Sequence, residues 1–186
     1  MYKYVKHLSY PVNVTKKDLK MAKLIITQVG GYAGELGATL RYFSQKYTMP
    51  DEKGRALLND IATEEIGHLE MVATIVSQLM ENATLEEIKE AGLESYYTEH
   101  GKGIYPMNAS GIPFDASTFA VTANPLTDLM EDMAAELKAK TAYEHLIDLA
   151  TDPQVIEPLL FLRQREVVHF NRFEELYNYY KDKGYK

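Results

Sequence analysis

Apolar residues recur along this chain at intervals of three and four, the period of helices buried on one face. Two of the longest stretches are interrupted in the same way. Leu58, Ile61, Glu65, His68, Val72, Ile75 and Leu79 form one seam, and Leu159, Leu162, Glu166, His169, Phe173, Leu176 and Tyr180 form another. In each, a glutamate and a histidine three residues later occupy places that the period assigns to the core. Residues three apart share a helix face, so the two side chains can aim at one point. Buried ionisable groups are costly unless paired or bound to a metal. Two interruptions of one kind therefore call for a common partner at the centre.

The same periodicity, read with the turn chemistry, predicts an all-α chain. Residues 1–14 alternate briefly and are broken by Pro11, which predicts an extended arm. Thr15, with Asp18 three residues on, reads as the N-cap of a first helix over residues 16–47, its stripe holding Leu24, Ile25, Tyr32, Leu36 and Tyr42. Gly30, Gly31, Gly34 and Gly37 weaken that helix by propensity; they predict close approach of another backbone, room around Glu35, or a plain kink. Pro50-Asp51 punctuates, and a second helix runs to Asn82. Thr84-Leu85-Glu86-Glu87 is a capping box for a short helix ending before Gly92. Residues 93–123, with Gly101, Gly103, Pro106, Gly111 and Pro113 among aromatic residues, complete a long crossover over 83–123. It is expected to lie across the outside of a bundle or against another subunit. Asn124-Pro125 opens a third helix ending at Ala150. A fourth starts at Pro153 with a bend, or at Pro158, and continues to Lys183, with a fraying tail beyond. Four long helices in two antiparallel hairpins joined by one crossover make a ferritin-like four-helix bundle, expected here as one domain over residues 1–186.

The two interrupted seams are copies. Glu65 and Glu166, His68 and His169, and also Glu35 and Glu136, are each separated by 101 positions. Glu35 and Glu65 are equidistant from residue 50, and Glu136 and Glu166 from residue 151, where the turns are expected. Each acid then lies roughly 22 Å from its turn at 1.5 Å per residue, so all four reach one level. Four helices each delivering a carboxylate, two adding an imidazole, is the ligand set of dinuclear iron or manganese bundles. Glu64 and Glu70 read as surface acids. His7, His100 and His145 have no repeat partner and read as surface or structural residues.

Composition narrows the chemistry. A length of 186 residues suits one domain with a sizeable core. The net charge of −7 and the scattered Lys and Arg argue against nucleic acid as a partner. No apolar run is long enough to span a bilayer. Met1-Tyr2-Lys3-Tyr4-Val5-Lys6-His7 lacks the apolar region of a secretory signal, so the protein is expected to be made and kept inside the cell, or delivered by assembly. The absence of cysteine excludes disulfides, thiolate metal sites and a cysteine nucleophile. A metal would be held by carboxylate and imidazole, which suits manganese, iron or zinc.

Gly31-Tyr32-Ala33-Gly34-Glu35-Leu36, Thr63-Glu64-Glu65-Ile66-Gly67-His68-Leu69-Glu70-Met71 and Arg165-Glu166-Val167-Val168-His169 resemble segments of the manganese catalases, most closely their short spore-coat members. The likeness extends over nearly the whole chain, through Pro50-Asp51, Asn108-Ala109-Ser110-Gly111-Ile112-Pro113-Phe114 and Asp152-Pro153. It implies disproportionation of hydrogen peroxide by two manganese ions per chain that cycle between divalent and trivalent pairs. It assigns Glu35, Glu65 and His68 to one ion and Glu136 and His169 to the other, with Glu65 bridging. It leaves Glu166 to handle protons and Tyr42 to hydrogen-bond the first carboxylate. It further implies a homo-oligomer, a hexamer in the family, and other spore coat proteins as partners. Larger members carry an arginine just before the fourth acid; here that position is Ala135, which leaves the role of that arginine in closing the site open. Two alternatives stay open: a di-iron oxidase or peroxidase, since carboxylate and imidazole do not separate iron from manganese, and a metal-binding coat component with little turnover, to which 14 tyrosines in 186 residues lend some support, though many are equally explained as bundle core and helix ends.

Overall fold

A computed structural model describes residues 7–186. Among them the chain forms eight α-helices, two short 3-10 turns and no strand beyond a single bridge between Met107 and Pro113. The expected arm lies in part outside the described residues. Its described part runs against the bundle, with the Val14 N–H donating to Gln78 Oε1 at 2.7 Å and Gln78 Nε2 donating to the Val12 carbonyl at 3.3 Å.

The first helix is not continuous. Its place is taken by α1 (Leu19–Ile25), α2 (Thr27–Gly30) and α3 (Glu35–Gln45). Thr15 is not the cap; it hydrogen-bonds Gln154 at 2.7 Å, and Asp18 caps α1 by accepting from the Met21 N–H at 2.9 Å. The break falls on Gly31–Gly34, and both glycines carry ψ of 168°. A side chain on Gly30 would collide with the Pro106–Met107 backbone, and one on Gly34 with the Thr27 carbonyl. Close approach and the kink therefore both occur. Tyr32, assigned to the buried stripe by period, sits in the break and is 61% exposed. The break makes Glu35 the first residue of α3.

Asp51 caps α4 (Glu52–Leu79) through the Gly54 N–H at 3.0 Å, and also accepts from the Tyr180 hydroxyl at 2.8 Å and the Tyr179 hydroxyl at 3.2 Å. The turn of the first hairpin is thus tied to the far end of the last helix. The capping box at Thr84 and Glu87 forms and opens α5 (Leu85–Glu90). A further helix, α6 (Glu94–His100), lies where the pattern looked irregular. Leu93, Tyr96 and Met107 of the crossover are buried in one cluster with Ile26, Val76 and Met80, so this segment packs against the bundle. Asn124 caps α7 (Pro125–Leu149), and Asp152 caps α8 (Pro153–Asp182), which starts at the earlier of the two expected places and carries Pro158 buried within it.

α3 packs along α4 and α7 along α8; the hairpins meet through α4 with α8 and α3 with α7. This is the ferritin-like arrangement of four helical arms, the first of them broken into α1, α2 and α3. All fourteen seam positions are buried, from 0% to 2% exposed. They do not make one continuous core. Leu58 and Ile61 of α4 cluster with Phe173, Leu176 and Tyr180 of α8, whereas Val72, Ile75 and Leu79 cluster with Leu159 and Leu162. Between these apolar layers lies the level of Glu65, His68, Glu166 and His169. No helix among the described residues is long and apolar enough to cross a membrane.

Candidate metal centre

The residues that interrupt the seams meet. Glu65, His68, Glu166 and His169 each present an oxygen or a ring nitrogen, and these atoms all lie within 4.8 Å of one another. Glu65 sits in the middle: its Oε2 is 2.7 Å from His68 Nδ1 and its Oε1 is 2.7 Å from His169 Nδ1. The outer acids flank it symmetrically. Glu35 Oε2 is 3.8 Å from His68 Nδ1, and Glu136 Oε2 is 3.7 Å from His169 Nδ1. Glu166 Oε1 is 4.0 Å from His68 Nδ1. Glu35, Glu65, Glu136, Glu166, His68 and His169 are all at most 2% exposed. The imidazoles stack at 5.5 Å between centroids and 22° between planes, and Phe161 closes over His68 edge-on.

So many charges in an apolar layer perturb one another. Burial foremost, then the neighbouring Glu65, lifts the Glu35 carboxyl well above its usual range. Burial, followed by Glu35 and Glu136, does the same to Glu166. Glu65 is held low: burial opposes its charge, but the two imidazoles outweigh it. In return Glu65, against the cost of burial, raises His68 to about 10 and His169 to about 12. The protein alone thus sets an ionised Glu65 between two protonated imidazoles, with burial favouring the neutral forms of Glu35 and Glu166.

Six buried atoms at this level have no hydrogen-bond partner: Glu65 Oε1, His68 Nε2, Glu136 Oε2, Glu166 Oε1 and both ring nitrogens of His169. Unpaired polar atoms this dense are costly in a bare core. They fit divalent cations, which the oxygen and imidazole donors suit chemically. His7 and His145 are exposed, and His100 stacks on Tyr105 in the crossover, away from the centre.

Tyr42 does not bond the first carboxylate. Its hydroxyl donates to Glu136 on the other hairpin, while the Tyr143 hydroxyl donates to Glu35. Each hairpin therefore supplies the phenol that holds the other hairpin's outer acid. Tyr143 follows Tyr42 by the same 101 positions that relate the acids, a signal present in the sequence that points to this exchange. Glu64 is not a plain surface acid. It is half-buried, with Oε1 3.4 Å from His68 Nε2 and Oε2 3.2 Å from His169 Nε2, and it is clamped by Arg165. Glu70 is exposed, as expected.

The comparisons with known proteins agree on one family. The family model described as "Manganese containing catalase" matches residues 1–184. Protein CotJC of Bacillus subtilis is 49% identical over 175 residues, covering 94% of this chain and 92% of that protein. A probable manganese catalase of Clostridium acetobutylicum is 33% identical over 186 residues, covering 99% of this chain and 83% of that protein. The crystal structure of wild-type KatB, a manganese catalase from Anabaena, superposes with a TM-score of 0.89 at 30% identity, covering 97% of this chain and 81% of that one.

Proposed function

Since the chain belongs to the family of manganese-containing catalases, we propose that it disproportionates hydrogen peroxide to water and dioxygen at two manganese ions in this centre. The observation that carries the reading is the convergence of Glu65, His68, Glu166 and His169 within 4.8 Å, buried and flanked by Glu35 and Glu136. Glu35, Glu65 and His68 would hold one ion and Glu136 and His169 the other, with Glu65 placed to serve both, since each of its oxygens faces one imidazole at 2.7 Å. Two adjacent redox ions would take up both electrons of the oxidising half-reaction and return both in the reducing one, which avoids releasing a radical.

The side chains manage protons and exclude water. Oxidising one peroxide to dioxygen releases two protons and two electrons; reducing a second peroxide to two waters consumes as many. A group that keeps a proton in place between the halves serves both. Glu166 suits this role, because burial and the neighbouring acids favour its protonated form and it lies beside His68. Tyr42 and Tyr143 orient Glu136 and Glu35, and the apolar layers on either side keep the centre dry. The rest of the reading follows the family likeness: one domain, a homo-oligomer of the hexameric kind, and a place in the spore coat.

A second reading has its own support. Glu166, though farther from the imidazoles than Glu65, presents an oxygen within 4.8 Å of ligand atoms of Glu65, His68 and His169, a place from which it would serve as a direct ligand in a symmetric site of the di-iron type. Oxygen evolution from hydrogen peroxide, measured with manganese-reconstituted protein, separates these readings. The catalase reading expects rapid release that disappears in Glu65→Ala, and Glu166→Gln that keeps both ions but loses most turnover. Loss of metal from Glu166→Gln would make it a ligand; no oxygen from the fully loaded wild type would refute the catalase reading.

A further inference from the structure

We propose that Glu64 is a positioning residue shared by both imidazoles, a single carboxylate that holds His68 and His169 with the proton on Nε2 and the Nδ1 lone pair turned into the centre. The inference rests on the dinuclear reading above. An imidazole that gives Nδ1 to a cation carries its proton on Nε2, and that N–H needs an acceptor, which in metalloproteins is often a carboxylate. Here the two rings face the same one. Glu64 Oε1 lies 3.4 Å from His68 Nε2 and Oε2 lies 3.2 Å from His169 Nε2, while both Nδ1 atoms face Glu65 at 2.7 Å. The stacking of the rings, 5.5 Å apart and 22° from parallel, is what lets one carboxylate reach both. In the protein alone these are ion-pair contacts, with the N–H directions off the oxygens.

Glu64 is itself held. Arg165 Nε donates to Oε1 at 2.6 Å and Nη2 to Oε2 at 3.2 Å, a forked pair. Such a fork fixes the plane of a carboxylate as well as its charge. Glu64 and Arg165 are related by the same 101 positions as the paired acids. Two-fold equivalence would put two acids, or two arginines, side by side at this place, and like charges would repel. The chain places one of each, so they pair across the pseudo-two-fold axis and one acid serves both halves.

The test is a manganese(II) titration of metal-free protein, followed by the electron paramagnetic resonance of free manganese, for wild type, Glu64→Gln and Arg165→Gln. A shared positioning role predicts that Glu64→Gln weakens both binding events, each by about 10- to 100-fold, and that Arg165→Gln weakens both by a smaller factor. Unchanged binding in a folded Glu64→Gln protein would overturn the proposal. Weakening of one event alone would also overturn it, because it would make Glu64 a partner only of His68, four residues along its own helix. If Glu64→Gln does not fold, Arg165→Gln, which keeps the acid and removes its clamp, decides the same question. Nitrogen-15 histidine spectra of the metal-free protein supply a readout without metal: the Nε2 resonances of His68 and His169 should shift together in Glu64→Gln, while those of His100 and His145 stay. A wild type that fails to take up two ions would count against the dinuclear reading, and the joint shift of the rings would still decide whether Glu64 is shared.

Discussion

Removing one hydroxyl tests how the centre holds the two hairpins together. Tyr143 is fully buried on α7 and donates to Glu35 on α3; Tyr42 on α3 donates to Glu136 on α7. Tyr143→Phe keeps the ring and its packing and deletes only this tie. In the metal-free protein burial and then Glu65 raise Glu35 and favour a neutral carboxyl as the acceptor. A neutral hydrogen bond contributes about 1 kcal/mol net, and leaving a buried acceptor unpaired costs about 1–3 kcal/mol. The expected loss is therefore about 1–2 kcal/mol, and a chain of this size changes its melting temperature by about 2–4 °C per kcal/mol. Tyr143→Phe should lower the midpoint of the metal-free protein by about 2–8 °C, with the urea m-value unchanged. The loss should grow once manganese ionises Glu35, since a bond to a charged acceptor is worth about 1.5–3 kcal/mol. A midpoint equal to or above wild type in both states would refute the idea that these phenols join the hairpins.

Two further outcomes follow from the same geometry. His68 and His169, raised from 6.5 to about 10 and about 12, stabilise the metal-free fold fully below pH 6.5 and lose that contribution as pH climbs toward those values. Glu35 and Glu166, raised by burial first, act in the same direction from the ordinary carboxylate range upward, whereas Glu65, held low, withdraws its contribution as pH falls through that range. The melting temperature of metal-free protein should therefore peak near about pH 5–6 and decline through pH 7–9, while manganese affinity rises over the same interval as protons leave the ligands; a flat profile in differential scanning calorimetry would contradict this. Gly30→Ala puts a methyl into the Pro106–Met107 backbone, which cannot yield as a flexible side chain would. It should cost about 1–3 kcal/mol, measured by urea unfolding, and a neutral result would mean that the crossover is not pressed against α2.

How much of this was legible depends on which interaction sets each feature. Seam positions were readable because burial follows the helical period, and every residue from Leu58 to Leu79 and from Leu159 to Tyr180 in the two seams is buried. The level of the acids was readable because rise per residue is fixed, so distance from a turn gives height. The break in the first helix was not. Four glycines lower helix propensity, but whether they kink, open or approach another chain depends on Pro106, which lies more than seventy residues away. The partner of Tyr42 was misassigned for a related reason. Height along a helix does not say which neighbour a side chain crosses to, and the phenol crosses to the other hairpin. The reading of Glu64 failed because period alone puts it at the margin of the seam, and the margin of this bundle is where a ring nitrogen needs its acceptor.

The centre is a two-fold arrangement broken at two places: Glu64 faces Arg165, and Glu65 reaches both imidazoles at 2.7 Å whereas its counterpart Glu166 stands 4.0 Å from His68. Acids, imidazoles and phenols repeat at 101 positions, so each half of the site meets the same donors at matching distances, 3.8 and 3.7 Å for the outer acids and 2.7 Å for both contacts of Glu65. Symmetry of that kind would suit the proposed pair of ions. It fails where two equivalent side chains would fall on the axis itself. There a repeat must either leave a gap or bring like charges together, and this chain resolves it with Glu64 against Arg165. The same constraint acts on Glu65, whose two oxygens face the two imidazoles. Both glutamates of the Glu64-Glu65 pair therefore work across the axis, one from each side of the stacked rings. A substitution at either should disturb both ions at once, whereas one at Glu35 or Glu136 should fall first on its own.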